Sequence, residues 1–256
     1  ALYSCATYNV QKGKNLFEVK DSEIKSESDF KLFLIGDAGN ADEPQAQKTL
    51  SLLKSKLDSA DSNSMLIFLG DNIYPNGMPK ETDKEYTLAK QKLENQLAIT
   101  KNFKGKTLVI PGNHDWYNGL EGLNTQEELV KKYLDDKKAF LPKNGCPIDD
   151  INVSKDIKLI AIDTEWVIAN WDNYPGINKN CNIKTREDFF TEFKDLIIKN
   201  QGKKICGRFK KSQLDSIVIQ IPSRVLYAQM SYHKMFLLAL FIFKIRMHRT
   251  DILSSF

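Results

Sequence analysis

The chain has 256 residues, is 41% apolar, and carries 37 Lys and Arg against 33 Asp and Glu, a formal charge of +4. Such a length and apolar content can bury a sizeable core in one globular domain and exclude a low-complexity or disordered chain. The positive excess is confined to one end: residues 203 to 256 hold ten lysines and arginines against two aspartates and no glutamate. Nucleic-acid binding is therefore not implied for the rest of the chain.

In chain order, Leu2-Tyr3-Ser4-Cys5 places an apolar residue three before a cysteine and a small residue directly before it. This resembles the end of a bacterial lipoprotein signal whose charged and apolar parts would lie upstream. It implies lipid on Cys5, a tether over residues 1–29, membrane attachment through the acyl chains, and a cell-envelope location, lipid-anchored or periplasmic. A plain surface cysteine is the competing reading. Three nearly continuous apolar runs follow, Lys31–Ile35, Met65–Leu69 and Lys106–Ile110. Runs of this kind suit parallel strands buried on both faces. Helices are predicted between them, over Gln45–Asp58 and Asp83–Ile99, giving two β-helix-β units with room for right-handed crossovers. A fourth run, Ile157–Ile162, is expected to continue the same sheet. Trp166–Cys181 reads as a loop, Arg186–Lys199 as an amphipathic helix, Lys210–Ile219 as the next helix, and Arg224–Met230 as the following strand. The fold class is α/β: a layered sheet with flanking helices and an atypical or truncated C-terminal part.

Each of the first three strands runs straight into a polar turn: Gly36-Asp37-Ala38-Gly39, Gly70-Asp71-Asn72-Ile73-Tyr74, and Gly112-Asn113-His114-Asp115. Ligands of such sheets collect beyond the carboxyl ends of the strands, and Asp37, Asp71 and Asn113 all fall there, 34 and 42 positions apart. A lone Gly-Asp is an ordinary turn; three in order, each behind a buried-type strand, is a pattern. Hydrolysis of a phosphate ester by two metals needs a bridging ligand, hard oxygen donors and an activated hydroxide aligned on phosphorus. Asp71 suits the bridge, Asp37 one ion and the neutral amide oxygen of Asn113 the other, with His114 placed to hydrogen-bond or protonate the leaving group. Pro75–Gly77 and Trp116–Gly119 would form the rim of the site. Asp163, after the fourth strand, is expected to cap that strand or to support the site from behind.

On these motifs the chain resembles the calcineurin-like metallophosphoesterases, and most of all their purple-acid-phosphatase-like branch. The family's first motif usually carries a histidine ligand where this chain has Gly39; in the purple branch a tyrosine three residues after the bridging aspartate replaces it, and Tyr74 stands at that position. The resemblance implies metal ligands Asp37, Asp71, Tyr74 and Asn113, and a dinuclear centre of Fe(III) with Fe, Zn or Mn, because a phenol with a reference pKa of about 10 gives up its proton readily only to a strongly acidic ion. Its substrates would be phosphate esters, small molecules or phosphorylated partners, with monoesters favoured.

The resemblance runs over residues 30–165 and then fades. The family closes its metal sites with Val-x-x-His and Gly-His-x-His; this chain has three histidines, His114, His233 and His248, and none of its glycines precedes a histidine. His233 lies about where a ligand should be, in an unmatched context. The segment Met235–Phe243 is apolar but far short of the roughly 20 residues that span a bilayer. It reads as a buried helix or strand, a membrane-surface element, or part of a disrupted end covering residues 208–256, after a domain at 30–207. The rival to an active hydrolase is accordingly a phosphoesterase-fold remnant, a binding or envelope-surface domain with impaired catalysis. Of the four cysteines, Cys146 and Cys181 could pair in an oxidising compartment, although spacing alone does not establish it.

Overall fold

The computed structural model describes residues 30–153, 157–174 and 176–200, and the backbone of strands at 204–211, 214–221, 224–231 and 241–245. Strands β1 (Phe30–Ile35), β2 (Ser64–Phe68) and β3 (Lys106–Val109) are parallel, linked through helices α1 (Pro44–Asp58) and α2 (Tyr86–Leu97). These are the strands and helices read from the sequence, with ends shifted by a few residues. Pro44 opens α1 where a missing N–H costs nothing, and its buried Leu50, Leu53 and Leu57 form one stripe. Helix α3 (Gly119–Leu134) follows the third motif and ends on Asp135 in the left-handed region, φ 49°.

The fourth apolar run forms a strand but does not continue the first sheet. Strand β5 (Ile157–Ile162) pairs antiparallel with β4 (Ile148–Asn152), and these begin a second sheet that goes on through β6 (Lys204–Lys211), β7 (Leu214–Ile221) and β8 (Arg224–Ser231). The edge of β3 is met instead by Phe140, which makes a parallel bridge to Val109. The helix expected over 210–219 is replaced by the β6–β7 hairpin, whose second strand carries Ile217, Val218, Ile219 and Ile221, residue types that favour an extended backbone. Strand β9 (Phe241–Ile245), at the end of the apolar tail segment, pairs antiparallel with β1 and gives the first sheet the order β3-β2-β1-β9. His233, His248, Cys5 and the tether at 1–29 lie outside the described residues.

Alternation along the strands decides what goes where. Phe30, Leu32, Leu34, Met65, Ile67, Leu69, Leu108 and Ile110 pack on Ile157, Leu159 and Ala161, so the two sheets face one another. The opposite faces, with Phe33, Ile35, Leu66, Phe68 and Val109 on one sheet and Ile160 and Ile162 on the other, belong to the outer core that takes in Leu53, Leu57, Leu93, Leu123, Trp166 and Phe189. The segment expected to be a loop contains a short helix, α4 (Thr164–Ile168), before α5 (Arg186–Lys199), which Thr185 and Asp188 open with a capping box. A Cys146–Cys181 disulfide with Cα atoms 5.4 Å apart ties the start of β4 to the segment before α5. No helix among the described residues is long and apolar enough to cross a membrane.

Candidate metal centre

The three polar turns meet at the carboxyl ends of β1, β2 and β3. Leu69 N–H donates to Ile35 O (2.7 Å), Asp37 N–H to Gly70 O (3.1 Å) and Ile110 N–H to Phe68 O (2.9 Å), so the strand ends stay in register into the turns. Asp37 and Asp71 then enter the left-handed region, φ 55° and 53°. Aspartate tolerates this conformation better than most residues, yet two strained carboxylates side by side are the kind of backbone outlier that collects at functional sites. Gly70, φ 98°, could not be replaced: a Cβ there would lie 2.8 Å from Gly112 Cα, so the second and third turns touch backbone to backbone.

Tyr74 sits between the two carboxylates. Its Oη lies 2.7 Å from Asp37 Oδ1 and 3.1 Å from Asp71 Oδ2, while the other Asp71 oxygen accepts the His114 backbone N–H at 3.2 Å. Gly39 leaves the space this requires. A Cβ at residue 39 would approach Asp71 O to 2.6 Å, Tyr74 Cδ2 to 2.7 Å and Tyr74 N to 2.8 Å, so main chain and ring together leave no room for a side chain there. The imidazole of His114 stands 4.4 Å from the Tyr74 ring and 4.7 Å from the Tyr117 ring. Its Nδ1 is 2.5 Å from Pro75 O; a carbonyl only accepts, so Nδ1 carries the proton and Nε2 is left for chemistry. Asn113 Nδ2 donates to Tyr117 Oη at 2.8 Å, which turns the amide oxygen away from the tyrosine.

Two aspartates missing from the expected ligand set hold this arrangement from behind. Asp115, wholly buried, accepts from Asn72 N–H (3.0 Å), Asn72 Nδ2 (3.1 Å), Gly112 N–H (2.7 Å) and Gln126 Nε2 (3.1 Å), joining the second turn, the third turn and α3. Burial, and then the charge of Asp71, push its pKa up to about 6 against the opposing pull of these hydrogen bonds. Asp163 caps α4, the helix after the strand, rather than the strand itself, accepting from Trp166 N–H, and it also takes the indole N–H of Trp116 at 2.7 Å. Its pKa is raised to about 7, burial outweighing the two donated hydrogen bonds. The rim divides: Trp116 is fully buried, whereas Tyr117 is 47% exposed beside the site. Asn72 and Asp115 were visible within the motifs but carried no sign of their bracing role. The signal for Asp115 is its type, a carboxylate inside a buried turn rich in backbone N–H groups.

The calcineurin-like phosphoesterase family model matches residues 30–220, which take in all three turns and well over half of the chain. The chain belongs to the calcineurin-like phosphoesterase family. A comparison with curated proteins finds no match. Family members typically bind a dinuclear metal centre and act on phosphate esters. As a calcineurin-like phosphoesterase this chain brings together two carboxylates and a phenol in direct contact, a hard oxygen set suited to small, highly charged cations. Among the described residues, however, no three His, Cys, Asp or Glu side chains cluster as a metal-holding group. The oxygen-bearing part of such a centre fits the residues present, and the described region supplies no imidazole ligand cluster to complete it.

Proposed function

We propose that this phosphoesterase is a purple-acid-phosphatase-like hydrolase of phosphate monoesters whose metal pair is held by Asp37, Asp71, Tyr74 and Asn113. The observation that carries the reading is the Tyr74 hydroxyl set between the two carboxylates, 2.7 Å from Asp37 Oδ1 and 3.1 Å from Asp71 Oδ2. A phenol so placed suits an ion acidic enough to take its proton away, which favours iron(III) in the first position and leaves Fe, Zn or Mn for the second. Bound metals of this kind polarise phosphoryl oxygens and activate water. The residues of the chain would do the rest: Asp71, on the second turn and bonded to the third through His114 N–H, would be shared by the ions, Asn113 would offer a neutral oxygen, and His114 Nε2 would meet the leaving oxygen.

Tyr74→Phe tests the reading directly. Iron-loaded protein should show a visible phenolate-to-iron absorption band, absent from the variant, and should hydrolyse p-nitrophenyl phosphate. A colourless iron-loaded protein would overturn the tyrosinate assignment. The second reading, a fold that has kept its oxygen donors but lost most of its catalysis, is favoured by the count of three histidines in the whole chain. Protein that holds no metal after dialysis and shows no turnover with added iron, zinc or manganese would decide for it. We also propose, on Leu2–Cys5 alone, attachment to the cell envelope through lipid on Cys5; mass spectrometry of the N-terminal peptide from cell membranes is the check.

A further inference from the structure

We propose that Lys92, a residue of α2 with no place in the ligand set, is a positioning residue for the metal site, holding the first and second turns at the separation that the donors need. The proposal rests on the metal-site reading above. Lys92 is only 8% exposed. Burying an ammonium is costly unless it is paired and hydrogen-bonded, and each contact of Lys92 Nζ is to a ligand-bearing turn: Tyr74 O at 3.1 Å, Asn40 Oδ1 at 3.4 Å and Asp42 Oδ1 at 3.5 Å. Asn40 and Asp42 follow Asp37 by three and five residues; Tyr74 is itself a donor. One helical turn further on, Gln96 Nε2 lies 2.5 Å from Asn72 O. The same face of α2 thus grips the second turn twice and reaches the first through Lys92.

The tie matters because the donors sit on turns and not on strands. Asp37 and Asp71 are held in the left-handed region, and the backbone bonds between their turns include Asp37 N–H to Gly70 O and Tyr74 N–H to Gly39 O. Lys92 adds a link at the outer end, past both carboxylates. Its charge cannot be the useful property, since a positive group beside a cation site opposes binding. Geometry is what remains, and for Lys92→Met the two contributions have opposite signs: loss of the charge tightens cation binding and loss of the tie weakens it.

Zinc and manganese(II) binding to the full chain would be measured by equilibrium dialysis for wild type, Lys92→Met, the double variant Asn40→Ala with Asp42→Ala, and all three changes together. Lys90→Met, at a half-buried position on the same helix whose ion pair is to Glu94 of that helix, is the control. We expect Lys92→Met and the double variant each to lose about 10- to 100-fold in metal affinity, the size typical of outer-shell partners. The combination should be no weaker than Lys92→Met alone, and the control should match wild type. Urea unfolding in EDTA separates positioning from general stability, and the double variant, which alters one half-buried and one exposed residue, reads the same tie if Lys92→Met fails to fold. Equal or tighter binding by either variant, with wild type binding metal, overturns the proposal. Wild type binding no metal overturns the metal-site reading and this inference with it.

Discussion

Gly39 constrains the site more tightly than any of its donors. A Cβ there meets main-chain atoms, Asp71 O and Tyr74 N, as well as the tyrosine ring, so shrinking the ring cannot make room. Gly39→Ala should therefore cost about 1 to 3 kcal/mol in urea unfolding, in the range of other overpacking changes, and Tyr74→Ala should not restore what is lost. Asp163 supports a second prediction. Its folded pKa of about 7 exceeds the ordinary 3.8, so the folded chain keeps a proton that the unfolded chain releases. The stabilisation from that proton is complete below about pH 4 and is lost as pH rises towards 7, with a slope of at most about 1.4 kcal/mol per pH unit. Unfolding free energies measured from pH 4.5 to 7.5 should fall with pH more steeply for wild type than for Asp163→Asn, which cannot titrate. That the turns bearing Asp37, Asp71 and Asn113 meet was legible because each turn directly follows an apolar run, whereas Tyr74 was read from the family resemblance and not from its position. The roles of Asp115 and Lys92 were not legible: the partners of one lie 43 residues back at Asn72 and 11 on at Gln126, those of the other 18 and 52 residues back at Tyr74 and Asn40.

At the level of elements, the turns act together because Asp115 joins two of them to α3. Asp115→Ala would leave three buried nitrogens, Asn72 N, Gly112 N and Gln126 Nε2, without this acceptor, and Asn72 Nδ2 with Ile110 O alone. Leaving a buried donor unsatisfied costs about 1 to 3 kcal/mol, so the loss should be at least of that size. Thermal melting should show the loss, and dialysis should show reduced metal retention. The Cys146–Cys181 disulfide is the other long-range tie, closing a separation of 35 residues around β4, β5 and α4. Loop-entropy arguments assign such a closure about 4 kcal/mol, so reduction with dithiothreitol, or Cys146→Ser, should lower the midpoint of unfolding in urea. Element types were read well where a period was strong, as in α1, α5 and the three parallel strands. They were misread at β6 and β7, where the mixed polarity of 210–219 imitates a helix and the strand state depends on neighbours across the sheet.

For the whole molecule, the division of labour between the sheets was hidden from sequence. The fourth apolar run looks like the first three, and its pairing with β4 and β6 puts it in a second sheet. The two sheets contribute unequally. Asp37, Asp71, Tyr74, Asn113 and His114 all come from the turns of the first sheet, and the second adds Asp163 as a brace while covering the inner face of the first with Ile157, Leu159 and Ala161. On the ribosome that order becomes an order in time. Every proposed donor has emerged before β5 exists, while Phe30, Leu32, Leu34, Met65, Ile67 and Leu69 still face water. A nascent chain at that stage has its proposed donors and no lid on its core, so its survival depends on how soon the second half arrives or on a chaperone that stands in for it.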